Sequence, residues 1–223
     1  SLYIRNHLLS VKNARLEVYR SKLLRDDTRE KTLYGEKIRN LTIKLDLKIM
    51  EVSGSEILYE ELIDAERGPA LVYFTGVHGK IYNLSNIGMD AEGFPRTEVN
   101  AKARLMGEAP LDFHLNFDVG DVANRYSFNG SAGALSSPGI NSFLKPALNI
   151  ETEGGIKSLD FDFAGNEEGA TGDMQLQYED FRISILRDDR SSEIPFLNRL
   201  LSGRALTYRI GLELTRAGSE VLH

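Results

Sequence analysis

Cysteine is absent from the 223 residues. No disulfide can staple this fold and no thiolate metal site can form, which suits the cytosol and also a bacterial periplasm, where many folds lack bridges. Long apolar runs are missing as well: none approaches the ~20 residues that a membrane-spanning helix needs. No signal peptide opens the chain. It begins at Ser1 without Met, inside a polar–apolar pattern, and is expected to be part of a longer protein whose anchor or targeting signal lies upstream. A basic surplus is also lacking. The net charge is −6 with both signs interspersed, whereas nucleic-acid binding calls for a basic patch, so nucleic acid is not an expected partner. The length suits one large β domain or two small ones. The chain is expected to be one β-rich domain over residues 1–223.

What is present is alternation of period two, the mark of strands with one buried face. Leu111, Phe113, Leu115, Phe117 and Val119 alternate with Asp112, His114, Asn116 and Asp118. Leu159, Phe161 and Phe163 alternate with Asp160 and Asp162, and Met174, Leu176 and Tyr178 with Gln175 and Gln177. Phe181, Ile183 and Ile185 alternate with Arg182 and Ser184, and Ile43, Leu45, Leu47 and Ile49 with Lys44, Asp46 and Lys48. Polar residues at every second place argue against parallel strands buried on both faces.

Turn chemistry separates these runs at Asn129-Gly130, Ser137-Pro138-Gly139, Gly154-Gly155, Gly165-Asn166 and Glu179-Asp180. The gaps are short, which predicts antiparallel hairpins and meanders. Helix is predicted only as a turn or two at Gly139–Leu144 and a short stretch at Ser192–Leu201; Leu206–Thr215 is read as a further strand. A weak repeat runs through the first half. Val11-Lys-Asn-Ala-Arg-Leu16-Glu-Val18 matches Val52-Ser-Gly-Ser-Glu-Ile57-Leu-Tyr59 at an offset of 41, and Ile38-Arg-Asn-Leu-Thr42 matches Ile81-Tyr-Asn-Leu-Ser85 at an offset of 43. Units 11–50 and 52–90 would each be a hairpin, an excursion and a further strand, giving an elongated sheet extended by stacking. The predicted fold is therefore all-β: an elongated antiparallel sheet of hairpin repeats, curved or groove-like, with one or two short helices.

Candidate chemistry is sparse. His7, His78, His114 and His223 have no partner at metal-ligand or triad spacing. Asp160 and Asp162 lie two apart on a strand and share a face; such a pair binds cations or does acid–base work in glycosidases, but a solvated face is the simpler expectation. Ser142-Phe-Leu-Lys145 fits a Ser-x-x-Lys pattern without its companion motifs. Sequons start at Asn40, Asn83 and Asn129 and matter only in a eukaryotic secreted protein. No catalytic residue, metal or cofactor is expected.

Several stretches resemble the C-terminal region of AsmA-like proteins of Gram-negative bacteria, especially the large versions in Bacteroidetes. They are Glu56-Ile-Leu-Tyr59-Glu60-Glu61, Gly79-Lys-Ile81-Tyr-Asn83-Leu84 and Val99-Asn-Ala-Lys-Ala-Arg-Leu-Met-Gly107. Phe128-Asn-Gly130-Ser-Ala-Gly133, Gly155-Ile156-Lys-Ser-Leu-Asp-Phe161-Asp-Phe163 and Gly172-Asp-Met174-Gln-Leu-Gln-Tyr178-Glu-Asp180-Phe complete the set, and the likeness covers residues 50–187. The resemblance implies a non-enzymatic carrier anchored in the inner membrane, with a long periplasmic β groove whose apolar lining lets phospholipid cross to the outer membrane. It brings no catalytic residues. The last twenty residues depart from any such pattern.

The apolar stripe therefore has two readings. In one, it packs against a second layer as the core of a structural or adhesive β-sandwich. In the other, it stays open and holds acyl chains at ~0.8 kcal/mol per buried methylene. About ten strands at ~4.8 Å spacing span ~45 Å, comparable to a bilayer. The expected lining is Leu111, Phe113, Leu115, Phe117, Leu159, Phe161, Phe163, Met174, Leu176, Tyr178, Phe181, Ile183 and Ile185. The expected partners are phospholipid or another acyl-chain lipid, a membrane reached through an upstream anchor, and a second copy of the chain, by self-association through exposed edge strands.

Overall fold

The alternating segments fold into one open, curved sheet. The computed structural model describes residues 2–23, 33–186 and 210–216, without the side chains of 181, 183, 185 and 210–216. In chain order the elements are β1 (Tyr3–Lys12), β2 (Arg15–Ser21), α1 (Tyr34–Arg39), β3 (Lys44–Asp64), β4 (Gly68–Ser85), β5 (Thr97–Leu105) and β6 (Ala109–Phe117). They continue with β7 (Tyr126–Ala132), β8 (Leu135–Ser136), α2 (Ser137–Leu148), β9 (Ile150–Asn166), β10 (Gly169–Ile185) and β11 (Ile210–Arg216). The order across the sheet is β1-β3-β4-β5-β6-β7-β9-β10-β11, with β2 also on β3 and β8 also on β9. All described strands belong to this sheet, so among the described residues there is no second sheet to make a sandwich.

The centre of the sheet is antiparallel, as the short gaps predict, but its margins are not. β1 and β2 run parallel to β3, and β11 runs parallel to β10. The sheet is therefore mixed. The reason lies in the repeat at offset 41. Val11 pairs with Val52, Leu16 with Ile57 and Val18 with Tyr59. The two copies lie side by side in register instead of each folding into a hairpin. A kink is duplicated at the same place: Asn13 (φ 51) and Gly54 (φ 60) both adopt the left-handed conformation. A Cβ on Gly54 would sit 2.6 Å from Asn13 Oδ1, so glycine is required there. β1 and β2 are thus one edge strand with a kink. Parallel neighbours cannot be joined by a hairpin, and the return from β2 to β3 passes through α1. The second repeat does not survive in structure: Ile38–Thr42 lies at the end of α1, whereas Ile81–Ser85 is strand.

Helix α1 carries Glu36 in its first turn and Lys37 and Arg39 in its last, charges that suit the helix dipole. Arg39 fastens it by donating to the carbonyls of Val119 (2.7 Å) and Asp121 (3.1 Å) and to Asn124 Oδ1 (2.7 Å). Asn86, only 1% exposed, ties the incoming chain by donating to the Ile38 and Ile43 carbonyls and accepting from the Leu45 amide. Under this lid Leu115, Phe117 and Val119 form a buried cluster, with Ile38, Leu84, Met89 and Phe94 packed on it.

At the other end α2 fills a notch. β5, β6 and β7 are 9, 9 and 7 residues long, whereas β3, β4, β9 and β10 have 21, 18, 17 and 17. Beyond the short strands α2 lies between β4 and β9 and touches both. Asn141 stands in for a missing strand: its amide donates to the Thr152 carbonyl (2.8 Å) and accepts from the Thr152 amide (2.8 Å). The helix is longer than the turn or two predicted, and it ends at Asn149 in the left-handed conformation.

Three of the five turn signals fall inside strands: Asn129-Gly130 in β7, Gly154-Gly155 in β9 and Glu179-Asp180 in β10. Each has a packing cause. The Phe161 ring lies over Gly130, where a Cβ would meet the ring at 2.8 Å. Gly154 (φ 83) and Asp180 (φ 46) form a paired kink in neighbouring strands. Gly165-Asn166 does mark the β9–β10 hairpin, and Ser137-Pro138-Gly139 opens α2. The predicted helix at Ser192–Leu201 lies outside the described residues, and β11 overlaps the strand read at Leu206–Thr215, running one residue further to Arg216.

Candidate functional site

Register turns the alternation into continuous rungs. One apolar rung runs Leu9, Met50, Ile81, Val99, Leu115, Phe128 and Phe163, from β1 to β9. The next runs Val11, Val52, Gly79, Ala101, Phe113, Gly130, Phe161 and Met174, from β1 to β10. A third joins Ala103, Leu111, Ala132, Leu159 and Leu176. The rung between the first two is polar throughout: Ser10, Glu51, Lys80, Asn100, His114, Asn129, Asp162 and Asp173. Directly paired residues share a face. The sheet therefore has one apolar and one polar surface, each spanning strand after strand.

Leu111, Phe113, Leu115 and Phe117 come from β6, Leu159, Phe161 and Phe163 from β9, and Met174, Leu176 and Tyr178 from β10. The pairings bring these strands together around β7, which adds Tyr126 and Phe128. The rings form a patch. Phe128 stacks on Phe163 at 5.2 Å, and Phe161 lies 6.0 Å from Phe128 and 6.4 Å from Phe113. Phe161 reaches across because Gly130, on the strand between, has no side chain. Ile183 and Ile185 pair with Thr152 and Ile150; the side chains of Phe181, Ile183 and Ile185 lie outside the described set. In the first half the phase differs from a simple reading of the alternation. Ile49 pairs with Leu8 and Tyr82 on the face that continues as polar Glu98, Asn116 and Ser127, while Met50 and Val52 carry the apolar surface.

Burial separates the patch into two zones. Leu115 and Phe117 are 8% and 7% exposed in the cluster on which Ile38 of α1 and Met89 and Phe94 of the β4–β5 connection pack. Leu111, Phe113, Leu159, Phe161, Phe163, Met174, Leu176 and Tyr178 are only half-buried. The inner face of a closed sandwich is interdigitated and fully covered; this surface is not.

The polar surface carries two shallow hollows. One, of about 720 Å³, is lined by Asp112, His114, Asn129, Ser131, Asp160, Asp162, Asp173 and Gln175. The other, of about 530 Å³, is lined by Lys12, Glu51, His78, Lys80, Asn100 and Lys102 among others. Asp160 and Asp162 are thus on one exposed face, and Asp162 sits directly opposite Asp173, a like-charge pair that costs stability. Lys102 donates to Asp112 and holds its carboxyl below the usual range. His114 bonds to Asn100 Oδ1 (2.6 Å) and lies 3.1 Å from Asp112. Among the described residues no group of three or more His, Asp or Glu is placed to hold a metal ion, and no helix is long and apolar enough to cross a membrane.

No family model, curated protein or solved structure matches the chain.

Proposed function

We propose that this chain is a non-enzymatic AsmA-like domain that binds or shields acyl-chain lipid on its apolar surface. The reading carries with it a periplasmic setting, an inner-membrane anchor outside this sequence, and a part in moving lipid between membranes and in building the outer membrane. The observation that supports it best is an apolar surface that crosses strand after strand and is only partly buried from β6 to β10 outside the Leu115–Phe117–Val119 cluster. Nine strands across the sheet at ~4.8 Å spacing span roughly 38 Å, enough for an acyl chain laid across them. A contiguous apolar surface left incompletely covered is a candidate interaction site, and each methylene laid on it contributes ~0.8 kcal/mol.

The test is a pair of measurements on two variants: thermal midpoint, and lipid co-purified from a Gram-negative host by mass spectrometry. Leu176→Asp places a carboxylate in the half-exposed zone; it should lower the midpoint modestly and abolish bound lipid. Leu115→Asp places it beneath α1, where an unpaired charge costs several kcal/mol, a large share of the ~5–15 kcal/mol that holds a domain together, and should prevent folding. Wild-type protein free of lipid, with both variants equally unstable, would sink the carrier reading.

A further inference from the structure

The outer edge of β1 and β2 bears no strand among the described residues. Proteins blunt such an edge with brevity, Pro, charged side chains, bulges or a covering element; Arg5, Lys12, Arg15, Arg20 and the kink at Asn13 restrict this edge to a strand that answers those charges and that kink. Here the edge strands have 10 and 7 residues and no proline. Their apolar side chains are unusually open: Tyr3, Leu8, Leu9, Leu16, Val18 and Tyr19 are between 37% and 63% exposed.

The inner side of the same edge displays the rule for a partner. Three features match β3 at the single offset of 41. Apolar residues match, as Val11 with Val52 and Leu16 with Ile57. The left-handed kink at Asn13 meets the kink at Gly54. Charge matches as well: Arg5 faces Asp46 (2.9 Å), Arg15 faces Glu56 (3.8 Å) while pairing more closely with Glu17 (2.7 Å), and Arg20 faces Glu61 (3.7 Å), which Lys22 also reaches (3.3 Å). Within Tyr3–Ser21 the cations Arg5, Lys12, Arg15 and Arg20 stand against the single carboxylate Glu17, and Arg5 and Arg15 remain 63% and 60% exposed despite their partners. The edge is a cationic, kinked strand with its apolar rungs ready to continue.

We propose that this edge binds a further strand of the β3 type, from another polypeptide, in parallel and in the same register. That strand would be acidic opposite Arg5, Arg15 and Arg20, carry Gly or Asn opposite Asn13, and be apolar opposite Val11, Leu16 and Val18. Main-chain hydrogen bonds supply affinity in strand addition, and side-chain pattern supplies specificity. The inference stands apart from the lipid reading, because it uses the edge of the sheet and not its face.

A labelled peptide with the sequence of residues 44–64 is the probe, titrated into the intact chain by fluorescence anisotropy. It should bind saturably, more weakly as salt rises. Hydrogen exchange should gain protection over residues 3–21. Two altered peptides test the register while the protein is left untouched. Asp46→Lys with Glu56→Lys should weaken binding at least tenfold, and so should Gly54→Val, which cannot follow the kink. No binding, equal binding of all three peptides, or protection gained elsewhere would overturn the proposal. So would self-association of the chain that buries this edge and excludes the peptide, since the occupant would then be a second copy.

Discussion

At the level of single residues, the glycines of the central strands are structural parts of the aromatic patch. Gly130 reads as a turn residue beside Asn129, yet it lies mid-strand with the Phe161 ring over it. A Cβ there would stand 2.1 Å from the Asp112 carbonyl oxygen as well as 2.8 Å from the ring. Gly172 repeats the arrangement, with Phe163 Cδ1 2.7 Å from its Cβ position. Both contacts are too close for any side chain, and one of the two obstacles at Gly130 is backbone. Gly130→Val should therefore destabilise by about 1–3 kcal/mol or more, read as a lower thermal midpoint, with loss of the Phe161–Phe128 ring contact in aromatic NMR shifts. An unchanged midpoint would show that the strands are less tightly coiled here than described.

At the level of elements, the two helices do different work at opposite ends. The α1 lid closes a small core over Leu115 and Phe117, and α2 completes the sheet where β5, β6 and β7 stop short. Asn141 is the hinge pin of that second arrangement. Its amide satisfies both main-chain groups of Thr152, which is 3% exposed, and Oδ1 also accepts from the Thr152 hydroxyl at 2.9 Å. Asn141→Leu keeps the bulk but orphans these groups. A cost of about 1–3 kcal/mol is expected for each buried group left unpaired. Amide exchange should quicken first at residues 150–154, ahead of the central strands. Equal slowing or quickening throughout would mean that α2 does not seal this edge.

For the whole molecule, ionised carboxylates set the acid limit. Asp64 is held low by the Glu66 amide and then by Arg67, and Glu108 by the Ser136 amide and hydroxyl. Asp112 is held low by Lys102 and Asp121 by Arg125. In each case the folded pKa lies below the unfolded value near ~4. Such groups add stability that is present above the unfolded pKa and lost as pH falls through the folded one. The thermal midpoint should thus hold from about pH 7 to about pH 5 and decline below about pH 4, each of these solvent-screened groups contributing a small part. Asp121→Asn should show a shallower fall. An identical pH profile in that variant would remove Asp121 from the list of contributors.

The sequence alone determined that this is a sheet protein with one apolar and one polar surface, because period-two alternation depends only on the pleat of each strand. It also contained the offset of 41, and with it the register of the edge. Direction was decided by tertiary structure: a repeat at a fixed offset is compatible with two hairpins or with two parallel copies, and only the crossover through α1 selects the second. Tertiary structure also decided where glycine means turn and where it means room for a ring, since at Gly130 that depends on Phe161, two strands on in the chain. That Leu115 is buried and Leu176 is not followed from the placement of α1, a helix too short to leave a hydrophobic period, and of the β4–β5 connection, whose Met89 and Phe94 pack on the same cluster.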